Sequence, residues 1–186
     1  MTAPVPASPG APRQLRPTEV KRLNREWRRA SGARLALLLD SVAQPFNVGS
    51  IVRSAAAFGA EQLWLCGNTA PLSHPGVGKT ALGTQRLIEA TQEPSPVAAA
   101  KAAAGLGLRV VAVELATGAV PLDEAPRDGD VCLALGNEDH GCTAALLAAA
   151  DVIAYIPQSG RVGSLNVAVA AAIAMAEARR QARAAG

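Results

Sequence analysis

The chain has 186 residues and a formal net charge of +3, and although 49% of its residues are hydrophobic, only 3% are aromatic. This length predicts a single domain around one core. The scarcity of aromatic residues argues against modules that read RNA bases by stacking. The longest uncharged apolar run, 167–176, covers ten residues, whereas a bilayer span needs about 20, so we expect no membrane-spanning segment.

Cysteine and histidine usage predicts neither a disulfide framework nor a metal site. The three cysteines form no CxxC pair, and the two histidines, His74 and His140, lie far apart. Residues 1–10 have neither the charged start nor the apolar stretch of a secretory signal. We therefore expect a protein of the reducing cytoplasm.

Charge is unevenly spread along the sequence. Residues 1–34 hold eight Lys and Arg against two Glu, a formal charge of +6, which leaves −3 on residues 35–186. A second basic cluster, Arg179, Arg180 and Arg183, lies near the end of the sequence. Basic ends on a mildly acidic body favour an anionic polymer as partner. Solvated helix faces are the alternative, and charge alone does not choose between them.

The predicted elements alternate between strand and helix. After a tail rich in Ala, Pro and Ser, we predict a basic helix and then a run of strands and helices. The predicted strands are 35–40, 61–66, 87–90, 108–114, 131–136 and 152–156. The predicted helices are 18–30, 48–58, 96–104, 143–150 and 164–184, with residues 68–84 as loops. This order indicates an α/β domain, 35–186, with a mostly parallel sheet covered by helices on both faces, and an N-terminal extension, 1–34.

Ligands of such sheets bind beyond the carboxyl ends of the strands. The three strands that begin at residues 35, 131 and 152 run into loops rich in Gly, Asn, Ser and carboxylates, at 41–47, 136–141 and 157–164. We expect these loops to form one pocket. A phosphate-binding P-loop at 76–80 is not expected, because Ser73 stands where its first glycine should be.

The first of these loops leads into a helix that carries two candidate residues. Asn47 is placed to cap the start of the helix. Arg53 lies off the apolar stripe among small residues, which leaves its guanidinium free to bind a phosphate or carboxylate. The alternative for Arg53 is an ordinary solvated arginine.

Four further candidates lie in the other two loops. Gly136 would let a ligand approach the backbone closely, and Glu138 would hold a ribose hydroxyl or orient Arg53, unless the loop is an ordinary acidic turn. Ser164 is a good helix cap, and helix N-termini attract anions. Asn166 at the mouth of a buried helix must have partners, either backbone groups or a ligand.

Taken together, the segments NVGSIVRSAAAFGA from Asn47, LGNEDHG from Leu135 and AYIPQSGRVGSLNVAVA from Ala154 resemble the three motifs of the SpoU/TrmH family of RNA ribose 2′-O-methyltransferases, in the SPOUT superfamily. KTALGT at 79–84 also resembles a segment of some members. The resemblance implies a deep trefoil knot in the C-terminal part of the sheet, and a homodimer. It also implies S-adenosylmethionine (SAM) as cofactor, bound mainly by main-chain groups that match Leu135, Gly136, Ile156 and Leu165, with the turn after Glu114 nearby.

The same resemblance assigns catalytic roles. Arg53 matches the motif arginine that acts on the 2′-hydroxyl. Because a guanidinium pKa exceeds about 12, we favour orientation and charge stabilisation over proton removal. Asn47, Glu138, Ser164 and Asn166 would position Arg53, the ribose and the methionine end of the cofactor. No metal is required.

The RNA substrate is left open between tRNA, which we favour for a short chain with basic ends, and rRNA. The basic helix 18–30 would take the place of the separate RNA-binding domain of larger relatives. An RNA-binding protein of the same fold without turnover is the competing hypothesis, and the presence of all the motif residues argues against it. A nicotinamide-dependent oxidoreductase is not expected, because residues 40–49 contain no GxGxxG.

Overall fold

A computed structural model describes residues 13–30, 32–125 and 129–185. The described residues form seven strands: β1 (Leu35–Asp40), β2 (Gln62–Cys66), β3 (Glu89–Glu93), β4 (Arg109–Val113), β5 (Val120–Pro121), β6 (Val131–Leu135) and β7 (Val152–Tyr155). They also form six α-helices, α1 (Pro17–Ala30), α2 (Pro45–Phe58), α3 (Pro75–Ala81), α4 (Pro96–Gly105), α5 (Ala144–Ala149) and α6 (Val167–Ala185), and a 3₁₀ turn, Thr84–Leu87. The predicted tail before residue 13 lies outside the described residues.

The strands form one parallel sheet in the order β3-β2-β1-β6-β4-β7-β5. Every residue of β1 is buried, because successive side chains point to opposite faces and both faces are covered. Leu37 and Leu39 pack in one core with α2 and α6, whereas Ala36 and Leu38 pack in a second core with α4 and α5. The predicted α/β class is confirmed.

Helix α3 is a correction, since its residues were predicted as loop. Its start is set by His74, whose Nδ1 accepts a hydrogen bond from the Gly76 backbone N–H (3.0 Å). Gly76 permits close contact with α2, since a Cβ at this position would lie 2.9 Å from Cβ of Pro45, whereas a Cβ on Gly78 would meet no atom within 4 Å. On α2, a Cβ at Gly49 would collide with Thr80.

Two smaller differences concern the starts of helices, and a third is an additional strand. Helix α2 begins at Pro45, three residues earlier than predicted, because proline is well suited to a first helical position. Helix α6 begins at Val167, three residues later than predicted. Strand β5 was not predicted. It has only two residues, lies at the sheet edge and contains Pro121, which such an edge tolerates.

The C-terminal half of the sheet has an unusual connection. Ala154 of β7 pairs with Val113 of β4 on one side and with Val120 of β5 on the other. Residues 114–119, which join β4 to β5, therefore arch across β7. The predicted knot would be built around this arch, and it stays a prediction. Within the described part of the chain, no helix is both long and apolar enough to cross a membrane.

Candidate active site

A cleft of about 370 Å³ lies at the carboxyl ends of β4, β6 and β7. Its walls are the start of the arch, the turn after β6 and the segment that runs from the end of β7 into α6. The lining includes all four residues predicted to contact the cofactor, namely Leu135, Gly136, Ile156 and Leu165. Glu138 and Ser164 line it as well. The loops after β6 and β7 thus meet at one place, as predicted, whereas residues 41–47 of the third loop do not line the cleft.

Beside the cleft, a chain of hydrogen bonds joins the three motifs. The Asn47 side-chain amide donates to Oε1 of Glu138 (2.8 Å), and its Oδ1 accepts a hydrogen bond from the Asn166 amide (3.0 Å). Asn47 and Glu138 are 91 residues apart in sequence, and Asn47 and Asn166 are 119 apart. We call Glu138, Asn47 and Asn166 the motif bridge. It fixes the starts of α2 and α6 relative to the turn after β6.

The cap assignments of Asn47 and Ser164 were wrong. Asn47 is the third residue of α2, and the residue before the helix, Gln44, makes no side-chain cap. The cap is instead supplied from outside the helix by Glu138, which accepts hydrogen bonds from the backbone N–H groups of Gln44 (3.1 Å) and Ala43 (3.2 Å). A carboxylate suits this position because helix N-termini carry partial positive charge.

At α6 the capping residue is Asn166, not Ser164. Its Oδ1 accepts hydrogen bonds from the backbone N–H groups of Ala168 (2.9 Å) and Val169 (3.3 Å), which an N-cap side chain is expected to satisfy. Ser164 is exposed at the edge of the cleft. Of the two alternatives left open for Asn166, the partners in the structure are backbone groups and Asn47.

The hydrogen bonds of Glu138 set its ionisation. Burial raises the pKa of its carboxyl, but hydrogen bonds from Asn47 and from the backbone of Gln44 and Ala43 outweigh burial, so its pKa lies below the usual glutamate value. The group is therefore a carboxylate at neutral pH. The structure gives no hydrogen bond between Glu138 and Arg53, so the expectation that Glu138 orients Arg53 directly is not supported.

Gly136 has a structural reason to be glycine. A Cβ at this position would collide with the backbone of Gly141 and Cys142, at the far end of the same turn. The turn is closed by paired backbone hydrogen bonds between Asn137 and Gly141. Glycine at position 136 therefore allows close approach of the protein's own backbone. Gly136 also lines the cleft.

Three polar residues that support the site were not singled out from the sequence. Asn137 donates from its side chain to the carbonyl of Ser41 (2.8 Å). Thr69 is buried, and its hydroxyl accepts a hydrogen bond from the Val42 backbone N–H (3.1 Å). Asp40, also buried, accepts from the Thr143 backbone N–H (2.9 Å). Asp40 could have been found from the sequence, because it is a carboxylate at the end of an otherwise apolar strand.

Arg53 lies outside the motif bridge. It is exposed on α2, six residues after Asn47, which corresponds to about 9 Å along the helix axis. It makes no hydrogen bond or ion pair with any residue that the structure describes. The guanidinium therefore has its donors available for a ligand, as predicted, and a solvated arginine fits the same observation. Over the described ranges, no cluster of His, Cys, Asp and Glu side chains could hold a metal ion.

The two basic ends differ from each other. On α1 only Leu23 is buried, and five cationic side chains are exposed: Lys21, Arg22, Arg25, Arg28 and Arg29. Near the C-terminus, Arg179 donates hydrogen bonds to the carbonyls of Ala33, Phe58 and Gly59 (2.6–2.8 Å). Arg180 is paired with Glu177 (2.7 Å). Arg179 is thus structural, whereas Arg183 is exposed, and α1 carries most of the available charge.

Comparison with known proteins agrees with this architecture. A model of the SpoU rRNA Methylase family matches residues 34–176. The chain is 38% identical over 143 residues to the 23S rRNA (guanosine(2553)-2′-O)-methyltransferase RlmP of Bacillus subtilis, over 76% of this chain and 56% of that protein. The chain spans about half to three-fifths of the length of the curated relatives it matches.

Two solved structures are similar to about four-fifths of the chain. The SpoU methyltransferase AviRb from Streptomyces viridochromogenes, in complex with AdoMet, has a TM-score of 0.73 and 32% identity, over 83% of this chain and 62% of that chain. A structure that concerns 2′-OH methylation of C/U34 on tRNA has a TM-score of 0.71 and 33% identity, over 81% of this chain and 97% of that chain. The family model matches most of the chain, and the three motifs of the sequence come together at the carboxyl ends of a parallel sheet. The chain therefore belongs to the SpoU rRNA Methylase family.

Proposed function

We propose that the chain is a SAM-dependent methyltransferase that adds a methyl group to the 2′-hydroxyl of a ribose in structured RNA. The observation that carries the proposal is the motif bridge beside the cleft. Three segments distant in sequence converge there through side chains of Asn47, Glu138 and Asn166. Simple packing of a parallel sheet does not require such a polar cross-link. It is what a site needs when two reactants must be held in fixed geometry.

The composition of the cleft suits SAM. Its volume falls within the range of small-molecule sites, about 300–1,000 Å³. Aliphatic side chains of Leu135, Ile156 and Leu165 would contact an adenine ring, and the loop backbone beside them offers N–H and C=O groups to polar edges. When bound, SAM supplies an electrophilic methyl group on a sulfonium. We assign its binding to these three residues and Gly136.

The reaction requires the ribose 2′-oxygen to attack the methyl carbon in line with the bond to sulfur, while the hydroxyl loses its proton. We assign Arg53 to orient the 2′-oxygen and to stabilise the negative charge that develops on it. The motif bridge and Ser164 would hold the cofactor side of the site in place. A guanidinium is a poor base, so the proton acceptor in this proposal is solvent or a substrate phosphate that Arg53 contacts.

The RNA substrate is proposed to contact α1 as well as the cleft. The exposed cations of α1 account for most of the positive charge of residues 1–34, whereas residues 35–186 have a net negative charge. Positive charge at a protein surface binds RNA by displacing counterions. We keep tRNA as the favoured substrate and rRNA as the alternative. The similar structures include a tRNA-directed case, and the curated relatives include an rRNA-directed one.

A homodimer in the cytoplasm completes the proposal. Three large apolar side chains remain exposed on the paired helices α2 and α6, namely Phe46 (53%), Val169 (48%) and Ile173 (38%). Val169 and Ile173 are one turn apart on the same face of α6. A second copy of the chain would cover them. Light scattering of the wild-type chain and of Ile173→Glu tests this, with loss of dimer mass expected in the variant.

Calorimetry with SAM and with its demethylated product, without added metal, tests the cofactor assignment. Binding of both is expected, and tight binding of ATP without binding of SAM would contradict the assignment. Mass spectrometry of nuclease-digested tRNA and rRNA, incubated with the protein and SAM, then identifies the methylated nucleotide. SAM binding with no methylated ribose in either RNA would favour an RNA-binding protein without turnover.

A further inference from the structure

Glu114 joins two walls of the cleft. It directly follows β4, at the start of the arch, and is one of the residues that line the cleft. Oε2 accepts a hydrogen bond from the Cys142 backbone N–H (2.9 Å), and Oε1 accepts one from the Leu115 backbone N–H (3.0 Å). One oxygen therefore holds its own segment of chain, and the other holds the end of the turn after β6.

The turn is shaped to receive this carboxylate. Gly141 has a φ of +68°, in the left-handed region that favours glycine, and a Cβ there would collide with Glu114. Gly141 also forms the backbone pair with Asn137 that closes the turn. Gly136 and Glu138 lie in or next to the same short turn. A displacement of Gly141 would therefore also move Gly136 and Glu138.

A second carboxylate makes the same kind of bond elsewhere in the sheet. Asp151, before β7, accepts a hydrogen bond from the Val110 backbone N–H (2.8 Å). It lies at the amino ends of β4 and β7, opposite the cleft. The two acidic residues therefore bind neighbouring backbone at opposite ends of the strands. Of the two, only Glu114 lines the proposed cofactor cleft.

We propose that Glu114 is a positioning residue of the cofactor cleft, which sets the distance between the turn after β6 and the chain after β4. This inference rests on the proposed function, since it takes the cleft to be the SAM site. Glu114 would act before any RNA is bound, by holding the cleft ready for the cofactor. Its loss should therefore weaken cofactor binding more than it weakens RNA binding or the maximal rate.

The test compares Glu114→Ala and Glu114→Gln with the wild-type chain, and uses Asp151→Asn as the matched control. For Glu114→Ala we expect the dissociation constant for S-adenosylhomocysteine, measured by calorimetry, and the KM for SAM to rise about tenfold. This corresponds to about 1.4 kcal/mol, the loss of the one hydrogen bond that joins Glu114 to the turn after β6, from the Cys142 backbone N–H. The kcat at saturating SAM and the KM for RNA should stay within about twofold.

Glu114→Gln should fall between the wild type and Glu114→Ala, because its single amide oxygen replaces one of the two acceptors. Asp151→Asn should lower the melting temperature without changing the affinity for S-adenosylhomocysteine. Equal changes in cofactor affinity, RNA affinity and melting temperature in both Glu114 variants would overturn the inference, and so would wild-type cofactor affinity in Glu114→Ala.

A substitution that fills the cleft, Leu165→Arg, separates this inference from the proposed function. If Leu165→Arg abolishes binding of S-adenosylhomocysteine while Glu114→Ala binds it normally, the cleft is the cofactor site and only the role of Glu114 is wrong. If Leu165→Arg binds it normally, the assignment of the cleft itself is overturned, and with it the inference on Glu114.

Discussion

The edge of the sheet that carries the cleft and the helix α1 differ in how they are held. At the cleft edge, side chains from distant parts of the sequence are hydrogen-bonded to one another, as with Asn47, Glu138 and Asn166. On α1 only Leu23 is buried, and Trp27 is 50% exposed. The ion pairs of the helix region are local, such as Arg13 with Glu19 (2.8 Å).

This difference separates two tasks. Groups that align reactants must be fixed, because small displacements of a reacting atom are costly in rate. Cations that attract a polyanion act through charge at the surface and need no fixed partner in the protein. Arg53 combines the two, since it is free of partners in the described residues but stands on a helix that the motif bridge fixes.

The largest effect is expected at Arg53. Arg53→Ala should lower the single-turnover rate of methyl transfer by at least about 10²–10³-fold, the usual cost of losing one group that stabilises transition-state charge. Affinity for SAM should stay near wild type, because the proposed cofactor contacts lie on other loops. Lys101→Ala, which removes an exposed cation of α4, is the control. A variant that keeps most of its rate would mean that Arg53 is only a solvated arginine.

Removal of residues 1–30 should have the next largest effect. It deletes the exposed cations of α1, so RNA affinity should fall about 10²-fold at moderate salt, with a flatter dependence of log affinity on log salt. SAM affinity should be unchanged. RNA binding at several salt concentrations, together with the melting temperature, checks both points. An unchanged salt slope with a much lower melting temperature would show that α1 is structural instead.

The smallest effect is a change in pH dependence at Glu138. The folded-state pKa of this carboxyl lies below its usual value, so its contribution to stability is present above the unfolded pKa of about 4.3 and is lost as pH falls through the lower folded value. Glu138→Gln should cost about 1 kcal/mol at neutral pH. It should also flatten the fall of melting temperature below about pH 5. Glu89→Gln on β3 is the control, and the same acid profile in both variants would contradict this role for Glu138.

The central strands could be predicted from the sequence because they are short runs of residues that are apolar on both faces, whereas the edge strand β3 is polar and exposed. The apolar strand β1 and helix α4, which begins after its cap Ser95, are examples that local pattern determines. Helix α3 could not be predicted in this way. Gly76 is explained by its contact with α2, and no local rule carries that information.

For the candidate site, the motif residues could be chosen from the sequence, but their partners could not. Nothing within a few residues of Asn47 indicates a partner 91 positions away. Local capping rules favoured Asn47 and Ser164 as caps, whereas the folded chain uses Glu138 and Asn166. Glu114 looked like the end of a strand, and its role depends on a turn formed 28 residues later.

The place of β7 in the sheet has a consequence for biosynthesis. Until residues 152–155 leave the ribosome, β4 and β5 have no strand between them, and the nascent sheet exposes unpaired backbone along the edge of β4. Helix α6, which covers one face of the sheet, is made later still. Productive folding must therefore wait for the last part of the domain. Protection by chaperones during synthesis should matter more for this chain than for a sheet assembled in the order of its sequence.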